Sequence, residues 1–180
     1  MRRLALLVGV LAVPSLAFPC DNAVSRETSE NIKLLTDTER MIAKEDLVSA
    51  AKLLKKVHKN EDSRTEAKRQ DLTNIVTMRQ HGELDVAAVV VFFQKRVKQE
   101  SQNWQYKALL GEALFEAGKT DDAKKVLLEV HGKDVMPDAH GYLALAKMSN
   151  GDERAEFLKA CAKRTKSKTL CVLDGDTAAK

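Results

Sequence analysis

Four stretches of the chain share one layout and recur at a nearly constant step. Each joins a helix-forming run to a short polar break and then to an alanine that opens a second apolar stripe. They are IAKEDLVSAAKLLKKV, RQHGELDVAAVVVFFQ, FEAGKTDDAKKVLLEV and MSNGDERAEFLKAC. Their alanines are Ala50, Ala87, Ala123 and Ala155, so the steps are 37, 36 and 32 residues. A period in this range belongs to stacked helical hairpins, because no single hairpin can bury its apolar face alone and neighbours must do it for one another.

The spacing inside each unit has a local cause. Gly82, Gly118 and Gly151 stand where one helix must end in a left-handed residue. Acidic residues follow and favour the amino end of the next helix. The alanine then allows the two helices to cross closely. Composition agrees: aromatic residues make up 4% of the chain and only three prolines occur, a balance that favours helices over strands. The expected fold class is therefore all-α. One segment argues the other way, since VAAVVVFF, residues 86–93, reads in isolation as a buried strand. Its place in the period makes it the second helix of a hairpin.

The third unit carries the sharpest motif, with Leu110-Gly111, Leu114, Gly118, Ala123 and Leu127 at large, small and turn positions. In the fourth, LALAKMSNGD, residues 143–152, repeats the first helix and its turn, and in the first, Glu45 replaces the turn glycine. In these residues the chain resembles the tetratricopeptide repeat family, over roughly Asn31 to Ala162. The resemblance implies a right-handed superhelical array of about four antiparallel helix-turn-helix hairpins. It also implies a groove lined by the first helix of each hairpin, which holds a protein or peptide partner. Carried over position by position, the groove residues are Arg69, Leu72, Val76 and Arg79 from the second unit and Gln105, Ala108, Glu112 and Phe115 from the third. The family's clamp for a terminal carboxylate uses lysine and asparagine, whereas Ala108 and Glu112 stand here, so a clamp of that kind is not expected.

The chain opens on MRRLALLVGVLAVPSLA: two arginines, an apolar run and small residues at Ser15 and Ala17. This is the pattern of a secretory signal peptide over residues 1–17. Residues 18–30 are expected as a linker, 31–165 as the repeat domain and 166–180 as a tail. No segment approaches the roughly 20 apolar residues that a membrane span needs. The expected location is therefore exported: periplasm, cell envelope or secreted. Cys20, just past the leader, offers an alternative reading, a lipid-anchored structural component of an envelope complex. Phe18 and Pro19 fit that reading poorly. The net charge of +4 falls by two if Arg2 and Arg3 leave with the leader, which gives no electrostatic case for nucleic acid.

No residues form a catalytic or metal-binding pattern. The four histidines, His58, His81, His131 and His140, lie apart from one another and from cysteine. His81, His131 and His140 each precede a glycine and read as helix borders. No Gly-rich phosphate loop, G-x-S-x-G or H-E-x-x-H is present. The expectation is a non-catalytic scaffold without cofactor. Trp104 is expected to pack against the preceding repeat, and the basic run KACAKRTKSK, residues 159–168, to face solvent on a terminal capping helix. Three cysteines allow three pairings. Cys161 with Cys171 is the pair expected in an oxidising compartment, with Cys20 as competitor.

Overall fold

The computed structural model describes the backbone of residues 20–59, 62–80 and 86–173, and side chains within those ranges from Arg26 onward. Among the described residues there are eight α-helices and no strand: α1 (Cys20–Ala43), α2 (Leu47–Leu54), α3 (Ser63–Arg79), α4 (Val86–Gln99), α5 (Trp104–Glu116), α6 (Thr120–Gly132), α7 (Ala139–Lys147) and α8 (Gly151–Arg164). The chain is all-α. Residues 1–17, expected to be a signal peptide, lie outside the described residues, as does Gly82. From Cys20 onward the stretch expected to be a linker is the first part of α1. No described helix is long and apolar enough to cross a membrane.

The caps follow from residue type. Asp46, Asp62, Asn103 and Asp138 precede α2, α3, α5 and α7, and each side chain accepts a hydrogen bond from a backbone N–H of the first turn. The turns repeat one chain reversal. Gly118 (φ 73°) ends α5, with its N–H donating to the Phe115 carbonyl and Lys119 N–H to that of Leu114. Glu45 (φ 62°) ends α1 in the same way, with its N–H donating to the Ile42 carbonyl and Asp46 N–H to that of Met41. Both are Schellman closures, in which the left-handed residue satisfies carbonyls the helix leaves open. Glycine adopts that conformation without penalty; glutamate does not.

Helices α1 and α2, α5 and α6, and α7 and α8 pack closely as consecutive pairs. In the second pair, α3 and α4 barely touch, and α4 lies mainly against α5. Two apolar clusters result. One runs through α1–α6 around Leu35, Met78 and Phe93; the other joins α5–α8 around Leu127, Met136 and Leu145. Gly111 lets α5 approach α6, because a Cβ there would come within 2.5 Å of the Leu127 side chain.

The four aligned alanines do not play one role. Ala50 and Ala123 are fully buried, as crossing points must be, but Ala87 and Ala155 are exposed. On α4 the inward residues are Val89, Val90 and Phe93, spaced as one helix face, while Val91 points out. On α8 they are Phe157 and Cys161. The alignment is thus displaced in the second and fourth units. Trp104, expected to lean on the preceding repeat, packs instead on the second cluster, with the Lys107 ammonium 4.2 Å from the ring centroid. Cys161 of α8 is bonded to Cys171 beyond the helix end, Cα–Cα 5.9 Å, which holds Leu170 and Leu173 against that cluster.

Candidate functional site

The alternate helices α1, α3, α5 and α7 share a face, and two hollows open along it. The first, of about 200 Å³, has apolar walls from Leu47, Met78, Phe115, Leu143, Ala144 and Leu170. The second, of about 330 Å³, takes Ile42 from α1, Leu72 and Ile75 from α3, Gln105 and Leu109 from α5, and Ala139 from α7. Glu45, Arg79 and His140 line both. They form the wall between the two hollows.

That wall is a chain of polar contacts joining α3, α5, α7 and the turn between α1 and α2. Arg79, at the end of α3, donates to Glu112 of α5 at 3.0 Å and to Asp138, the cap of α7, at 2.6 Å. The other oxygen of Asp138 accepts from the His140 backbone N–H at 2.9 Å. The His140 ring lies 2.9 Å by Nε2 from the carboxylate of Glu45, across 95 residues of sequence. The Arg79 and Glu112 side chains are only 6% and 5% exposed, so neither is solvated in compensation. Burial and then the Arg79 attraction set these groups. Burial pushes the Glu112 carboxyl up to about 7, against the pull of Arg79 and with the help of the Asp138 charge. Burial would raise Asp138 too, but the charge and hydrogen bond of Arg79 outweigh it and hold that carboxyl below its ordinary value. For Arg79 itself the cost of burial is overcome by Glu112 and Asp138, which strengthen its hold on the proton.

A second polar cluster ties α3 to α4 and α5. Asp71 accepts from Arg96 at 2.8 Å and from the Tyr106 hydroxyl at 2.8 Å, and Arg96 also reaches the Ala67 carbonyl at 3.1 Å. Burial raises Asp71 above its usual range, ahead of the opposing bonds, and burial with the Asp71 bond pushes Tyr106 up to about 12.

Of the eight residues expected to line a groove, five line the hollows: Leu72, Arg79, Gln105, Glu112 and Phe115. The other three do not. Val76 and Ala108 are buried in the two clusters, and Arg69 is engaged by Glu66 at 2.6 Å on its own helix. The Cys20 side chain lies outside the described side chains. Sequence reasoning missed Glu45, Asp138 and His140. His140 read as a helix border because nothing near it in sequence pairs with it; its partner is 95 residues away. The signal that was present was Glu45, a glutamate at a turn position that takes glycine elsewhere in the chain. Among the described residues no group of three or more His, Cys, Asp or Glu side chains is placed to hold a metal ion. No family model, curated protein or solved structure matches this chain.

Proposed function

We propose that the chain is an exported, tetratricopeptide-like interaction scaffold that holds a peptide or protein segment across the face formed by α1, α3, α5 and α7. The observation that carries this reading is the pair of adjoining hollows lined from every one of those helices. Apolar walls with a few convergent polar groups suit side chains of a bound segment. A helical array supplies the length of surface that such a segment needs. The reading is non-catalytic: the polar groups of the face are spent on one another.

Photo-cross-linking tests it. A photoreactive residue at Gln105, exposed on the second hollow, is compared with one at Lys125, exposed on α6 away from both. In extracts of the source cells the reading expects a discrete protein adduct from position 105 and none from 125. Equal labelling at the two positions, or labelling from 125 alone, would contradict it.

A further inference from the structure

Part of the face assigned above is not helical. The chain runs on from α8 as a strap, residues 165–173, without regular structure. Thr165 at its root borders the second hollow, and Leu170 in its middle is one of the apolar walls of the first.

Little binds this strap to the helices. Its hydrogen bonds are internal: Ser167 N–H donates to the Thr165 hydroxyl, Leu170 N–H to the Ser167 hydroxyl and Val172 N–H to the Thr169 carbonyl. Among the described residues none runs from 166–173 to a helix. Charge does not hold it either. Lys166 and Lys168 of the strap and Lys159 and Lys163 of α8 are exposed, share one sign and form no ion pair among the described residues. What remains is the Cys161–Cys171 bond and the packing of Leu170 and Leu173, both only partly buried, on the second cluster. A segment with no hydrogen bonds to the body and little buried surface opens locally unless something ties it down. The disulfide is that tie.

We infer that the Cys161–Cys171 bond is a redox lock that completes the binding face: Leu170 walls the first hollow while the bond is closed and leaves it when the bond is open. The inference rests on the face assigned above, but the lock operates in the free protein. The bond forms by exchange with a disulfide donor. Cys161 is fully buried and Cys171 only partly so, which makes Cys171 the accessible partner. Its thiolate attacks a donor sulfur and one donor thiol leaves; the Cys161 thiolate then displaces the second donor thiol from the mixed disulfide. Two protons and two electrons pass from the chain to the donor. A chain that meets such a donor only after export gains its finished face there.

The experiment uses the full chain with Cys20→Ser, so that only two thiols can exchange. The chain is reduced, then treated with oxidised glutathione, and followed by carbon-13 methyl magnetic resonance. In the oxidised chain nuclear Overhauser contacts are expected from the Leu170 methyls to the Phe115 ring or the Leu143 methyls, which line the same hollow. On reduction these should vanish, while the contact of the Leu127 methyls with Gly111 stays. Adding Cys161→Ser and Cys171→Ser should fix the reduced pattern even under glutathione. Leu170 contacts that persist in the reduced chain, or in the double serine variant, overturn the lock, because the strap then seats itself without the bond. Loss of the Gly111 contact together with those of Leu170 overturns it too, since the bond then holds the helices rather than the strap. No partner enters this test, and the cross-linking test of the face is made on the oxidised chain, so failure of one leaves the other standing.

Discussion

Gly111 and Glu45 mark two ways in which a single position constrains this chain. At Gly111 the constraint is space. A methyl group would strike Leu127, itself fully buried, so Gly111→Ala should destabilise by about 1–3 kcal/mol in spite of alanine's better helix propensity. Thermal or urea melting measures this, and adding Leu127→Ala should make the pair less than additive because the clash is gone. The sequence showed this contact as the small residue in Leu110-Gly111. At Glu45 the constraint is backbone conformation, with φ 62° where Gly118 has 73°. Glu45→Gly and Glu45→Ala both remove the His140 bridge, but only glycine relieves the left-handed backbone, so the glycine variant should be the more stable by about 1 kcal/mol. Equal stability would remove the claim of strain. Position 45 was legible as a departure from the turn pattern. What the glutamate reaches was not, since periodicity carries no information about a contact 95 residues distant.

Among the elements, α4 shows how far the repeat can be read. The apolar run of residues 86–93 is strand-like by residue type, and its place in the period correctly makes it helix. The same period misplaces the crossing residue, because the alanines set the alignment while burial on α4 follows Val89, Val90 and Phe93. The error has a physical origin: α3 and α4 do not cross closely, so nothing demands a small residue there. Ala123→Leu should accordingly cost about 1–3 kcal/mol by overpacking, while Ala87→Leu, on an exposed position, should stay within about 0.5 kcal/mol of wild type. Comparable losses at both sites would restore the original alignment. At the other end of the chain, the Cys161–Cys171 bond closes a loop across the end of α8 and keeps the tail on the second cluster. Replacing both cysteines by serine should cost about 2–3 kcal/mol on the loop-entropy account. The check is a melting comparison with the wild type, oxidised and reduced.

At the scale of the whole molecule, the polar wall couples stability to pH. The folded state holds the Glu112 carboxyl near 7, above its ordinary 4.5. The folded chain therefore binds more protons between those values than the unfolded chain does. Stability from this group is full below about 4.5 and is lost as pH rises through about 7. Between pH 5 and 8 the loss should be on the order of 2–3 kcal/mol, and Glu112→Gln should flatten that slope in a set of denaturant titrations. The helical class came from local patterning, which every unit repeats. The wall did not, because it is assembled from Glu45 in the α1–α2 turn, Arg79 of α3, Glu112 of α5 and Asp138 and His140 at α7, and exists only once these helices stack. The account turns on that stacking, which brings the first hairpin to the last across a common face. A double-mutant cycle on Glu45→Ala and His140→Ala measures it directly, since the backbone cost of alanine at position 45 enters both arms and cancels. Stacking as described predicts a coupling of about 0.5–1.5 kcal/mol between the two positions; strictly additive losses would contradict it.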